Sequence, residues 1–151
     1  EGARIMSLDD PTSKMSKSAE NIHSRISLLD DANKIKKSIM RATTDSDGEV
    51  RFDVENKPGI SNLMNIYAAF SGLSVPEIQS KYQGCGYGDF KKDLVAVTID
   101  SLAPIKAQYD EIRHSQDLLD ALADGRERAN EIAERTMARV KDKFGLGVKI
   151  K

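Results

Sequence analysis

Apolar residues recur at helical spacing along most of this chain and alternate at strand spacing in only two short places. Leu28, Ile35, Ile39 and Met40 mark a first helix, with Asp30 or Asp31 as its cap and an end near Thr43. Pro58-Gly59 breaks the chain before a second helix carrying Leu63, Ile66, Tyr67 and Phe70. Ser74-Val75-Pro76-Glu77 is a capping box, which predicts a short helix to about Tyr82. Gly84, Gly86 and Gly88 then read as a flexible connection. The longest pattern runs from Phe90 to about His114 through Leu94, Val97, Leu102, Ile105, Tyr109 and Ile112. Pro104 lies inside it and predicts a kink or two helices meeting. Ser115 caps a short helix through Leu118, Leu119 and Leu122, expected to stop at Gly125. A last helix shows Ala129, Ile132, Ala133, Thr136, Met137, Val140 and Phe144 on one face and closes at Gly145. Arg4 to Leu8 and Glu49 to Asp53 read as short strands, each next to an Asp-rich turn. Ser13 to Ser24 is polar, small and weakly periodic, which predicts an exposed loop, mobile over Ser13 to Asn21.

The expected fold class is therefore mainly α. It is a helical bundle from about Leu28 to Phe144, with one short strand or hairpin and no parallel sheet of its own. A chain of 151 residues can bury one real core. With no Trp and 5% aromatic residues, that core should be aliphatic. Lys and Arg number 23 against 24 Asp and Glu, so no global field draws the chain to nucleic acid or membrane, and any RNA contact must come from local patches. A single cysteine, Cys85, cannot form an internal disulfide, which fits a reducing, cytoplasmic setting. No apolar run approaches the roughly 20 residues of a membrane span, and no signal peptide is evident. The chain opens on Glu1-Gly2 without Met, which is expected of a piece of a longer protein.

One string carries chemistry. Lys14-Met15-Ser16-Lys17-Ser18 follows a Pro-Thr turn in the polar loop. Two ammonium groups spaced by two residues, with hydroxyls and loop amides beside them, suit a polyphosphate. Placing them on a loop lets the groups close over a nucleotide and release it. A solvated Lys/Ser loop is the bland alternative for any two lysines near two serines. The complete string tips the balance.

That string is the signature loop of class I aminoacyl-tRNA synthetases. With Gly2-Ala3-Arg4-Ile5-Met6-Ser7-Leu8 and Pro11-Thr12 before it, the chain resembles the bacterial-type tryptophanyl-tRNA synthetases more than their tyrosyl relatives. The likeness continues through Thr44-Asp45-Ser46, Arg51-Phe52-Asp53, Lys57-Pro58-Gly59-Ile60-Ser61-Asn62-Leu63, Tyr82, Gly84, Gly86-Tyr87-Gly88 and the Gly125 turn. The resemblance implies an ATP-dependent ligase that activates tryptophan and transfers it to tRNA(Trp), using Mg2+ with ATP. It implies that residues 1–24 end a Rossmann-type nucleotide-binding domain and that 25–151 form the helical domain on the anticodon side of the tRNA. It also implies a homodimer. Lys14 and Lys17 correspond to the loop's catalytic lysines, Lys17 standing against the departing pyrophosphate. Met15, Ser16 and Ser18 belong to the same ATP-binding stretch, and Ile5 matches a position near the adenine. Two positions depart from the family pattern: Ser13, where another Lys is common, and Ala19, where an Asp often follows the loop. The family's His-Ile-Gly-His-like motif, its first strands and its tryptophan pocket are absent, so these 151 residues alone are expected to be inactive.

Other features have plainer readings. His23 and His114 are single and far apart, as surface or capping histidines are. Lys34, Lys37 and Arg41 on one helix, and Arg128, Arg135 and Arg139 on the last, are more often solvated faces than RNA contacts. Asp45, Asp47 and Glu49 lack the spacing of a calcium loop, so a turn is preferred, and no metal ligand is assigned. The competing functional classes are a stand-alone helical RNA-binding or interaction domain and the equivalent half of a tyrosyl-tRNA synthetase.

Overall fold

The computed structural model describes residues 4–146 and contains five helices among them. They are α1 (Ala32–Arg41), α2 (Pro58–Ser71), α3 (Val75–Lys81), α4 (Tyr87–Ile112) and α5 (Gln116–Lys143). The chain divides into two compact units, residues 1–107 and 108–151.

In the first unit α1, α2 and α3 begin on local start signals. Asp31 caps α1 by accepting the Lys34 N–H at 2.8 Å. Pro58 occupies the first turn of α2, where a missing N–H costs nothing. Gly72 ends α2 in the left-handed region at φ 73°. At α3 the Glu77 carboxylate accepts the Ser74 backbone N–H at 2.8 Å, which is one half of a capping box. Gly59 is required for a different reason, since a Cβ there would overlap the Thr43 carbonyl oxygen. The start of α2 can thus lie directly against residues 43–44.

These helices share one core. Ile35 and Ile39 of α1 join Ile60, Leu63 and Met64 of α2, Ile78 of α3, and Phe90 and Leu94 of α4. Each such buried side chain contributes roughly 1.5–3 kcal/mol. Tyr67, Tyr82 and Phe90 form an aromatic triad with ring centroids 5.0–5.8 Å apart. Leu8, from the segment before the loop, lies in the same core at 2% exposure.

The second unit, described by itself, holds the end of α4 and all of α5. Ser115 caps α5 by accepting the Leu118 N–H at 3.2 Å, and Gly145 turns the chain out of it at φ 67°. No residue of α5 is buried, and its apolar stripe, including Ile132 and Met137, faces outward.

Five expectations about elements need correction. Gly125 does not stop a helix: α5 runs through it for 28 residues. A lone interior Gly costs about 1 kcal/mol relative to Ala, less than the surrounding Ala, Leu, Arg and Glu residues can sustain. Of the two readings of Pro104, a meeting of two helices is excluded, because α4 is one helix through it. Pro104 and Asp100, the residue whose carbonyl loses its helical bond, are both exposed. Gly88 likewise lies inside the first turn of α4 instead of a flexible connection. Glu49–Asp53 has no strand partner among the described residues, and Arg51 N–H turns back to Glu49 O at 3.0 Å. The next two amides are taken by side chains, Phe52 N–H by Gln79 Oε1 at 3.0 Å and Asp53 N–H by Ser61 Oγ at 2.9 Å. Alternation reports which side chains face the core and not what satisfies the backbone. Arg4–Leu8, too, forms only a single antiparallel bridge, Met6 with Lys14.

Candidate functional site

The loop Ser13–Ser24 springs from that bridge. Ser7 N–H donates to Ser13 O at 2.8 Å and Met15 N–H to Ile5 O at 3.1 Å. Asp10 shapes the turn between the arms: its side chain accepts from Thr12 N at 3.1 Å and from the hydroxyls of Thr12 and Ser13. These hydrogen bonds, that of Ser13 foremost, hold the Asp10 carboxyl below its ordinary pKa. The far end of the loop returns to the same segment, because Leu8 N–H donates to Ser24 O at 2.8 Å. Asn21 Nδ2 donates to Asp9 Oδ2 at 2.6 Å. Bonds from Ser7 and then Asn21 lower the Asp9 pKa in turn. Both ends of the loop are therefore tied to residues 5–9.

Its middle makes few bonds, mostly to itself, and one to Arg25 just past its end. Ser16 Oγ and Ser18 Oγ lie 3.2 Å apart, and Ser18 N–H reaches Ser16 Oγ at 3.4 Å. Lys14, Ser16, Lys17 and Ser18 are exposed, and Met15 is half-buried against the core edge beside Ile5. Among the described residues neither Lys14 nor Lys17 has a hydrogen-bond or ion-pair partner. Both positions that depart from the family pattern make local bonds. Ser13 hydrogen-bonds Asp10, and at Ala19 the backbone carbonyl accepts from Arg25 Nη1 at 2.9 Å. Gly2 and Ala3 lie outside the described residues.

The body fixes this base through three attachments that sequence reasoning did not single out. Asn62 of α2 accepts the Met6 N–H with Oδ1 and donates to Met6 O with Nδ2, each at 2.9 Å. Thr43 N–H donates to Leu8 O at 2.7 Å, and Thr43 Oγ1 donates to Asp9 O at 2.8 Å. Behind Thr43 two buried lysines hold residues 42–49. Lys91 donates to Ala42 O at 2.8 Å, and burial lowers its pKa. Lys57, 2% exposed, donates to Asp45 at 3.2 Å, Glu49 O at 3.1 Å, Tyr87 Oη at 3.0 Å and the Asp47 carboxylate. Burial works to lower the Lys57 pKa, but the bonds to Asp47, Tyr87 and Asp45 outweigh it and raise it. Asp45 and Asp47 thus serve Lys57 in a turn. No group of three His, Cys, Asp or Glu that could hold a metal is found among the described residues. The signals for these attachments were the runs Thr44–Ser46, Lys57–Leu63 and Gly86–Gly88, which marked a resemblance and carried no physical reason.

The remaining candidates separate. His23 Nδ1 lies 3.1 Å from Ser38 Oγ of α1, as a linking histidine, and His114 is exposed. Lys34 is paired with Asp30 at 2.6 Å and Arg128 with Asp124 at 3.6 Å, whereas Lys37, Arg41 and Arg139 are exposed. Cys85 is half-buried and free.

Residues 3–103 match the family model described as tRNA synthetases class I (W and Y). The chain is 50% identical over 148 residues to the tryptophan–tRNA ligase of Bacillus anthracis, covering 98% of this chain and 45% of that protein. It is 47% identical to the Bacillus subtilis tryptophan–tRNA ligase over 148 residues, with the same two coverages. The chain thus spans a little under half the length of these curated relatives. Among solved structures it resembles tryptophanyl-tRNA synthetase from Mycoplasma pneumoniae, with a TM-score of 0.72 and 33% identity over 98% of this chain and 45% of that one. The Campylobacter jejuni enzyme complexed with ADP and tryptophan is similar at a TM-score of 0.72 and 28% identity, over 95% of this chain and 44% of that one.

Proposed function

The chain belongs to the class I tRNA synthetases of the tryptophan and tyrosine group, and from that premise we propose that it is the ATP-loop and helical part of a tryptophan–tRNA ligase. One observation carries the proposal. Lys14-Met15-Ser16-Lys17-Ser18 stands exposed, with both ends anchored and both ammonium groups unpartnered among the described residues. A fold that leaves two cations free on a pinned loop has them available for a polyphosphate.

In the proposed reaction the tryptophan carboxylate attacks the α-phosphorus of ATP, the α–β phosphoanhydride bond breaks, and pyrophosphate leaves. A ribose hydroxyl at the 3′ end of tRNA(Trp) then attacks the tryptophanyl carbonyl, an ester forms, and the mixed anhydride breaks to release AMP. Lys17 stabilises negative charge developing on the departing pyrophosphate, and Lys14 holds the triphosphate. Ser16 and Ser18 add neutral donors, while Ile5 and Met15 offer the apolar surface for the adenine end. Such chemistry depends on positioned cations more than on acid or base groups. Mg2+ is proposed to arrive with ATP. Residues 1–24 supply the end of the nucleotide-binding domain and 25–151 the helical, tRNA-facing domain. Leu8 shares a core with Ile35 and Ile39, so this boundary is one of role and not of packing. Tryptophan and most of the ATP contacts belong to sequence outside these 151 residues, in a cytoplasmic homodimer.

The test is tryptophan-dependent exchange between pyrophosphate and ATP. The full-length enzyme is expected to catalyse it with tryptophan and not with tyrosine, and the 151-residue segment alone is expected to be inactive. Exchange driven by tyrosine would move the reading to the tyrosyl branch. Robust exchange by the segment alone would overturn the division of the site.

A further inference from the structure

The loop's base, residues 5–7, has two edges, and the edges are used differently. Ile5 O and Ser7 N–H point to the loop arm, where they bond Met15 and Ser13. In an antiparallel pairing of this kind the residue between them, Met6, turns its own N–H and C=O the opposite way. A second strand ordinarily takes that edge. Here the Asn62 side-chain amide takes it, acceptor to N–H and donor to C=O, both at 2.9 Å. Asn62 is 4% exposed and lies on α2, whose first turn packs against residues 43–44 through Gly59.

We infer that Asn62 is a positioning residue for the phosphate loop, acting as a one-residue strand that sets the height of Met6 and, through the bridge, of Ile5 and Lys14. It touches no nucleotide. An amide is the one small side chain that offers a donor and an acceptor in the plane a strand edge requires. The inference rests on the phosphate-loop reading and adds to it the part of the helical body that aims the loop.

The experiment uses the full-length enzyme and single-turnover adenylate formation, normalised to titrated active sites. Asn62→Ala frees both Met6 groups and lets the strand shift. Misplacement of about 1 Å can cost on the order of 10²-fold in rate, so a fall of roughly 10- to 10²-fold with a raised KM for ATP is expected. Equilibrium binding of tryptophan should be unchanged. A residue with a merely structural role would reduce the number of active sites and leave the rate per site and the KM for ATP as they were. Asn62→Asp keeps the acceptor, and only its protonated form can donate to Met6 O. Its rate relative to wild type should therefore rise as the pH is lowered, and this variant decides the matter if the alanine variant does not fold. Lys17→Ala is run alongside. If it slows the reaction while both Asn62 variants match wild type per site, the positioning role is wrong and the phosphate loop stands. If Lys17→Ala is also without effect, the loop reading fails and this inference falls with it.

Discussion

Lys14 and Lys17 stand in water on the loop, whereas Lys57 and Lys91 are buried in the body less than 10% exposed. The loop lysines have no partner among the described residues, so the fold neither needs nor hides them. Lys57 is surrounded by two carboxylates, a carbonyl and a phenol, and Lys91 by a carbonyl and a hydroxyl. The same side chain is a ligand-ready charge in one place and a strut in the other. What separates them is whether the chain folds acceptors onto the ammonium. The two sets are also linked in series: the struts hold 42–49, Thr43 holds Leu8 and Asp9, and those residues hold the loop.

The largest loss of stability is expected at Lys57. Lys57→Ala leaves Asp45 and Asp47 facing each other beside a buried void. Removing one partner of a buried pair costs 3–5 kcal/mol. Asp45 and Asp47 are 24% and 54% exposed and can be rehydrated, so the loss stays below that of a fully buried pair, about 1–3 kcal/mol in a denaturant melt. A change of a few tenths would mean that the cluster is ornamental. Hydrogen exchange sharpens the contrast within the loop itself. The Met15 amide, bonded to Ile5 O, should be protected, and those of Lys17 and Glu20 should exchange at nearly free rates. Equal protection across residues 15–20 would contradict a loop anchored only at its ends.

Acid offers a smaller and more selective probe. Bonds from the Asn56 backbone and side chain, and then Arg51, hold Asp53 near a pKa of about 2, against an ordinary 3.8. Lys57 and the Glu49 amide hold Asp47 lower still. Between those values the unfolded chain binds more protons than the folded one, so stability falls as the pH falls. The melting temperature should be insensitive to these groups above about pH 5 and drop from there toward pH 2. A flat profile over that range would remove both carboxylates from the account. The smallest effect is expected for Met15→Leu. It conserves volume at a half-buried position and should cost less than about 1.5 kcal/mol, with little change in adenylate formation.

Much of the fold was legible because its signals are local. Asp31, the Ser74–Glu77 pair and Ser115 announce helix starts through bonds spanning three residues, and each lies where the pattern placed it. Gly125 and Glu49–Asp53 misled for the same reason. A breaker or an alternation describes preference, whereas helix continuity and amide satisfaction depend on neighbours, in one case Ser61 and Gln79, distant in sequence. The phosphate string is contiguous and was read directly. Asn62, 56 residues from Met6, carries no local mark, since a buried Asn in an apolar helix looks like any other until its partner is known. The Lys57 cluster was hidden likewise, because Asp45-Ser46-Asp47 reads as a turn whether or not a lysine returns to it.

The loop reading is tested most directly by the single-turnover rate of adenylate formation for Lys17→Ala in the full-length enzyme, with a thermal melt on the same protein. Lys17 is exposed, so its loss leaves no buried group unpaired, and the melt should coincide with wild type. Losing one preorganised donor at a site of developing charge typically costs on the order of 10²–10³ in rate, about 3–4 kcal/mol. That fall, with tryptophan binding intact and Lys14→Ala acting in the same direction, is the predicted result. A Lys17→Ala enzyme that forms adenylate at nearly the wild-type rate would show that the exposed lysines are only solvated charges, and the phosphate clamp would have to be sought elsewhere.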